Sequence, residues 1–421
     1  LDEKPWWGGL SPAGHFGRAN PRRSTIDSLA PQTAPRAMST EIIVVNWNNR
    51  RETLECLDAV AAQLRDVKSA SVTVVDNGST DGSATAVTSR HPQAKLFALH
   101  ENRGFTGGLA AALAGSTARN VIFLNNDAVP GAGWLAALVR AIDEAPDDVV
   151  SIGGKIVDPD GKKIDFIGGM LTFDGHAFQN GFRYPLGSRD EPRAGDELLF
   201  ACGGNMISRR EQLAELGAFD DDYFAYLEDV DFGWRTWIAG YRALYEPGAV
   251  VRHASSTTSN RLGDFERGVL FERNALQTAL KNFEQLAESG AAVLFAYLHR
   301  LHHYATTRNE RAQELKRPAL GKKKNSRWKR EPLVALDDPL TTMQFRALDW
   351  IMRNQERIAK KRHDVQRRRK RSDREIFERF PLHFVPTYPG DEAMMKSPLF
   401  QLLRPALPSV DRQLRDIMKA P

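Results

Sequence analysis

Cysteine is almost absent: Cys56 and Cys202 are the only two in 421 residues. Two thiols build neither a disulfide framework nor a thiolate zinc site, and such scarcity points to a reducing compartment, the cytoplasm. Long apolar runs are missing as well. The best, Ala291 to Leu298, stops at His299-Arg300, short of the roughly 18 residues that a membrane-spanning helix needs. The first 37 residues mix Pro, Gly, Arg and Ser without periodicity and lack the apolar core of a signal peptide. They read as a disordered extension, with Met38 as the natural start.

What is present fits a globular protein, with 42% hydrophobic and 26% charged residues. The length exceeds one ordinary domain, so the reading is one large domain of roughly 250 residues plus an appendage. The boundaries drawn are an extension over 1–38, an α/β domain over 39–282 and a helical, basic region over 283–421. Net charge is +5, and most of the excess lies after residue 320, which predicts an anionic partner for the C-terminal part alone.

Ile42-Ile43-Val44-Val45 is a β-branched run of the kind that fills a parallel strand buried on both faces. It ends in the polar turn Asn46-Trp47-Asn48-Asn49. Leu54, Leu57, Val60, Ala61 and Leu64 then recur at helical steps. The alternation repeats: a strand over 72–75 ending in Asp76-Asn77-Gly78-Ser79, a strand over 95–99, a helix over 107–118 and a strand over 121–124. Polar residues gather after each strand, the mark of an open α/β sheet, mostly parallel, whose ligand lies at the carboxyl ends of its strands.

Those strand ends form one expected site. Asp76 can accept hydrogen bonds from a nucleobase or ribose, although Asp76-Asn77-Gly78-Ser79 also fits an Asx turn with a following cap. Arg103, with Gly104, Gly107 and Gly108 ahead of a helix, suits a diphosphate. Asn125-Asn126-Asp127 closes the fourth strand. The densest charge follows in Tyr226-Leu227-Glu228-Asp229-Val230-Asp231-Phe232-Gly233-Trp234-Arg235, with three carboxylates in four positions. One carboxylate to hold a metal, another to take a proton and a histidine, His253, to complete the metal shell would make a transferase site.

Taken in order, Val-Val-Asn-Trp-Asn, Val-Val-Asp-Asn-Gly-Ser-Thr-Asp-Gly, Glu-Asn-Arg-Gly-Phe, Phe-Leu-Asn-Asn-Asp-Ala, Gly-Ala-Phe-Asp, Tyr-Leu-Glu-Asp-Val-Asp-Phe-Gly-Trp-Arg and Val-Arg-His resemble the inverting glycosyltransferases of family 2. The likeness is strongest to the bacterial rhamnosyltransferase and galactofuranosyltransferase branch, and it spans about Glu41 to Asn282, including Phe271-Glu272-Arg273-Asn274. It implies a GT-A fold and a nucleoside diphosphate sugar donor held by Asn46, Asp76, Asn77, Arg103, Asn125, Asn126 and Asp127. It further implies Asp229 as base, and Mg²⁺ or Mn²⁺ on Asp127 and His253. Asn125 stands where the family's metal motif has its first Asp, so the site has one negative charge fewer.

On the acceptor side the expectation names Glu228, the tight turn Gly204-Asn205 and Trp234, whose ring fits either a sugar platform or, at helical spacing, the core. Because the stretch after Asp229 opens a helix, its N-terminal dipole is expected to keep that carboxylate ionised. Asp231 is assigned an ion pair with Arg235. The implied acceptor is a glycan or a lipid-linked sugar.

From Phe283 onward the pattern is helical and then basic. Segment 353–374 holds eleven Lys or Arg against three acids, and Lys322-Lys323-Lys324 with Arg327-Trp328-Lys329-Arg330 forms a second cluster. Either this is a solvated face or it attaches the protein to an anionic membrane, as a peripheral protein on the inner face of the plasma membrane. Two other function classes were weighed. Nucleotidyl transfer uses a similar sheet but releases pyrophosphate. Nucleic-acid binding would need a recognition motif that does not accompany the charge.

Overall fold

The computed structural model describes residues 39–254, 263–306 and 339–419. The expected disorder of residues 1–37, the basic cluster at 322–330 and Trp328 lie outside these. The described residues belong to one compact unit.

The chain runs β1 (Thr40–Asn46), α1 (Arg50–Gln63), β2 (Ala70–Asn77), α2 (Ser83–Arg90), β3 (Lys95–Leu99), α3 (Gly104–Ala114), β4 (Asn120–Asn125), β5 (Ala128–Pro130) and α4 (Trp134–Glu144). Then come β6 (Val149–Val157), β7 (Ile164–Phe166), β8 (Gly169–Leu171), β9 (Ala177–Gln179), β10 (Glu197–Leu198), β11 (Asn205–Arg209), α5 (Arg210–Glu215), α6 (Glu228–Ile238) and β12 (Arg242–His253). Helices α7 (Asp264–Asn282), α8 (Leu286–Thr306), α9 (Pro339–Arg353), α10 (Gln355–Arg367) and α11 (Asp373–Arg379) follow.

The principal sheet has the order β10-β12-β6-β11-β4-β1-β2-β3. The half built from β1 to β4 is parallel, with Ile42 opposite Val72 and Ile122. β6 and β12 are parallel too. β11 runs antiparallel between β4 and β6. Period-two alternation sorts the side chains: Ile42 and Val44 pack toward α1, α2 and α4, whereas Ile43, with Val75 and Phe123, packs toward α3, α5 and α6. Both faces are therefore covered, which is why these strands read as unbroken apolar runs.

The expected elements are present with shifted boundaries, the largest in α3, which ends at Ala114 rather than at 118. α3 begins at Gly104 rather than at 107. Asn102 accepts from the Gly104 N–H at 2.9 Å, and Gly104 has φ +74° with the Phe224 ring against its Cα. A Cβ there would clash, so glycine permits the early start.

The C-terminal helices pack on the sheet domain. Trp234 sits edge-on to Phe283 and Phe377. Buried Arg300 of α8 joins Asp174, at 2.6 Å, to Asp391, which it meets with two bonds of 2.9 Å. Arg362 donates to the carbonyls of Leu280, Phe283 and Glu284, Gln366 to those of Lys281 and Asn282, and Arg369 to that of Asn282. These side chains satisfy the open C-terminal turn of α7, where cations are favoured. Lys361 pairs with Asp220 and with Asp222, the latter at 2.6 Å. Of the cations in segment 353–374, Lys361, Arg362, Arg368, Arg369 and Arg371 are therefore half-buried, whereas Arg353, Arg357, Lys360, Arg367, Lys370 and Arg374 are exposed.

Candidate active site

A cavity of about 540 Å³ opens at the carboxyl ends of β1, β2 and β4. Trp47, Asn77, Asn125, Asn126, Asp127, Glu228, Asp229 and His253 line it, so the widely separated motifs converge on one space. The convergence has a backbone cause. β5, just after Asp127, pairs antiparallel with the end of β12, placing His253 opposite Ala128.

His253 Nε2 lies 3.1 Å from Asp127 Oδ1 and 3.2 Å from the Asn125 amide nitrogen. Its Nδ1 meets Asp165 Oδ2 at 2.9 Å. Burial alone would lower the imidazole pKa, but the two flanking carboxylates outweigh it and raise it to about 10. Among the described residues, no group of three or more His, Cys, Asp or Glu side chains is arranged around a common ion position. Asp127 and His253 are an oxygen and a nitrogen donor turned toward the same cavity. Such a pair leaves most positions of a divalent ion to phosphate oxygens and water, which Mg²⁺ and Mn²⁺ tolerate. The two residues fit that role, with Asp165 orienting the imidazole from behind.

Across the cavity, Asp229 stands in the first turn of α6. Its Oδ2 accepts from Gly203 N at 3.0 Å and its Oδ1 from Val230 N at 2.8 Å. Burial raises its pKa and these N–H donors oppose that rise. Burial thus acts against the helix dipole that the sequence places at Asp229. Glu228 is pushed up to about 8, first by burial and then by the Asp229 charge, and its Oε2 has no partner among the described residues. Of the pair, Asp229 has the N–H donors that suit an anion, so Glu228 is the member that carries the proton near neutrality.

The backbone before the pair is strained. Phe224, Tyr226 and Leu227 have φ of 63°, 72° and 63°, a region costing roughly 1–2 kcal/mol for a residue with a side chain. Asn274 of α7 holds this loop: its Nδ2 donates to the carbonyls of Tyr223, Ala225 and Tyr226 at 3.0, 2.8 and 2.8 Å. Arg273 donates to those of Asp222 and Tyr223.

Several expected residues hold up the site rather than face it. Asn46 is buried, donating to Asp76 Oδ1 at 3.0 Å and accepting from Asn126 Nδ2 at 3.1 Å. Asp76 is buried and also accepts from Ser79 N. Asn77 lines the cavity while clamping the next loop, accepting from Arg103 N at 2.9 Å and donating to the Gly104 carbonyl at 2.8 Å. The Arg103 side chain is exposed and is not among the lining residues.

On the acceptor side Trp234 takes the core alternative, and the expectation for Asn205 is corrected. Trp234 is fully buried in the core, because α6 turns that face toward Phe283 and Phe377. Asn205 is also fully buried; it accepts from the Trp134 indole N–H at 2.7 Å and donates to the carbonyls of Lys155 and Ala249. Gly204 does line the cavity, and a Cβ there would lie 2.7 Å from the Asn125 amide. Asp231 pairs with Arg235 at 2.8 Å, as its spacing suggested. Asp165 went unnoticed in the sequence because it sits in a short alternating strand with no motif around it.

A cavity over parallel strand ends that gathers Asp127, Asp229 and His253 suits group transfer, and sequence comparison gives the class as glycosyltransferase. Residues 41–217 match the profile of Glycosyl transferase family 2. The chain is 30% identical over 215 residues to the N-acetylglucosaminyl-diphospho-decaprenol L-rhamnosyltransferase of Mycobacterium tuberculosis, covering 45% of this chain and 68% of that protein. It is 28% identical over 226 residues to the O-antigen biosynthesis protein RfbC of Myxococcus xanthus, covering 51% of this chain and 17% of that one. Among solved structures it is similar to GalNAc-T7 with UDP, GalNAc and Mn²⁺, at 15% identity and a TM-score of 0.47, over 83% of this chain and 59% of that one. The chain belongs to glycosyltransferase family 2, and its α/β sheet is flanked by helices on both faces.

Proposed function

We propose that the protein moves a sugar, rhamnose or galactofuranose, from a nucleoside diphosphate donor, with inversion, to a hydroxyl of a glycan or polyprenyl-linked acceptor in cell-envelope polysaccharide synthesis. The observation that carries this reading is the placement of Asp229 on the same cavity as Asp127 and His253. The rhamnosyltransferase relative, whose name specifies a decaprenol-linked acceptor, favours rhamnose and a lipid-linked acceptor.

Inversion requires the acceptor hydroxyl to approach opposite the leaving nucleotide. Asp229, held by two backbone N–H groups, accepts the hydroxyl proton as general base. Protonated Glu228 beside it donates a hydrogen bond to a neighbouring acceptor oxygen. Asn77, Asn125 and Asn126 line the donor half, and Asp127 with His253 would hold Mg²⁺ or Mn²⁺, which supplies charge neutralisation for the departing diphosphate.

No helix among the described residues is long and apolar enough to cross a membrane. A lipid-linked acceptor would bring the protein to a membrane surface, for which the exposed cations of the C-terminal region are suited.

The test is product analysis with a panel of nucleoside diphosphate sugars and a lipid-linked N-acetylglucosamine acceptor. Release of nucleoside diphosphate with a glycosylated product is expected. Pyrophosphate release, or no consumption of any nucleotide sugar, would overturn the assignment.

A further inference from the structure

The loop before the acidic pair holds a costly backbone conformation, and one side chain is what that conformation delivers to the cavity. Phe224, Tyr226 and Leu227 all have left-handed φ, where bulky residues are seldom found and strain is retained for a use. Phe224 sets its ring against Gly104, and Leu227 is buried in the core. Tyr226 is only half-buried and lines the cavity. Its ring lies on that of Phe271, which is also half-buried and cavity-lining, with centroids 4.6 Å apart and planes 23° from parallel.

Helix α7 builds this shelf from both sides. Phe271 lies one turn ahead of Asn274, whose amide donates to the Tyr226 carbonyl at 2.8 Å. One helix face therefore supplies the lower ring and the clamp on the upper one. Another ring pair in the lining, Phe166 and Phe200, is tilted by 47° and buried, so it is wall rather than shelf. Trp234, the platform that the sequence offered, is core.

A flat aromatic surface bordered by a hydrogen-bonding group selects by shape. Two residues beyond Tyr226, buried Glu228 lines the same cavity, and its Oε2 has no partner among the described residues. A pyranose presents a face of C–H groups and an edge of hydroxyls; the face suits the rings and the edge suits the carboxyl. An open-chain polyol has the same hydroxyls but no such face.

We propose that Tyr226 stacked on Phe271 is the platform for the acceptor's sugar ring, and that it restricts acceptors to cyclic sugars with an unobstructed C–H face. The proposal rests on the glycosyl-transfer reading above and adds to it the residues that seat the ring and the polyols that they exclude.

The experiment is saturation-transfer difference NMR of the full chain, irradiating aromatic protons, with the methyl β-glycosides of glucose and N-acetylglucosamine as probes and sorbitol as the open-chain control. Each is run alone and with Mn²⁺ and a saturating nucleoside diphosphate, uridine or thymidine diphosphate, whichever binds more tightly. Saturation is expected to reach the protons of one ring face of the glycosides and to persist with the nucleotide bound, while sorbitol stays silent. Tyr226→Leu and Phe271→Leu should each weaken glycoside binding about fivefold or more, and Tyr226→Phe should retain it. Nucleoside diphosphate affinity should be unchanged in all three variants, which reports an intact fold. Absence of transfer to both glycosides, unchanged affinity in the two leucine variants, equal transfer to sorbitol, or loss of the signal on nucleotide binding would overturn the proposal. Failure of the functional reading shows separately, as failure to consume any nucleotide sugar, because the stacking is read without turnover.

Discussion

Asp165 Oδ2 approaches His253 Nδ1 to 2.9 Å, so the opposite ring nitrogen is directed at Asp127. The orientation of the imidazole is therefore set from β7, an element outside every recognisable motif. Asp165→Ala should weaken Mn²⁺ binding about 10–100-fold, the usual range for loss of a carboxylate behind a metal-binding histidine. Electron paramagnetic resonance titration of Mn²⁺ measures this without an activity assay, and an unchanged affinity would refute the arrangement.

Asp229→Asn keeps the shape of the side chain but removes the proton acceptor. Turnover should fall by about 10²-fold or more. Donor affinity, read by thermal shift with the nucleotide sugar, should be retained. Near-normal transfer would take the base role from Asp229.

The pH dependence of stability has a definite sign. Burial alone would lower the pKa of His176, but Asp174 and Glu272 raise it to about 10. A histidine raised above its unfolded value of about 6.5 stabilises the fold fully below that pH, and the contribution is lost as pH climbs toward 10. Glu228, pushed up to about 8 by burial and the Asp229 charge, acts in the same direction. The melting temperature should therefore fall between pH 6.5 and 10, and His176→Gln should flatten that slope. A melting temperature that rises over this interval would contradict the buried protonated imidazole.

Asn274 secures three carbonyls of the loop that carries the acidic pair. Asn274→Ala should cost about 1–3 kcal/mol of stability by leaving buried oxygens unsatisfied. Turnover should drop further than stability alone explains, because the strained residues 224–227 set the position of Glu228 and Asp229. Urea denaturation and kcat, measured on the same preparation, separate the two effects.

Arg300 is the sole charged partner described for Asp391 and one of two for Asp174. Arg300→Met removes the cation and leaves two buried carboxylates, which should cost about 3–5 kcal/mol. Thermal denaturation measures this.

The parallel half of the sheet was legible in the sequence because each strand is covered on both faces and so appears as a β-branched run ending in polar residues. The ordered motifs also identified Asp127, Asp229 and His253, since their spacing along the chain carries the family likeness. Side-chain direction was not legible. Asn205 sits within a conspicuous motif yet points into the core, and for Trp234 helical spacing offered the core as only one of two alternatives. Asn46 and Asp76 occur where ligand contacts are expected, but the folded turn engages both in its own hydrogen bonds. Asp165 and Asn274 act through contacts with distant segments, so their surroundings in sequence give no cue.

Arg362, Gln366 and Arg369 close the carbonyl end of α7 from a region that composition alone would mark as a dispensable charged appendage. Excising that region would bare the main-chain oxygens of residues 280–284 while removing the helix that covers them. The C-terminal region is therefore tied into the glycosyltransferase domain through α7, the helix whose Asn274 holds the loop before Asp229.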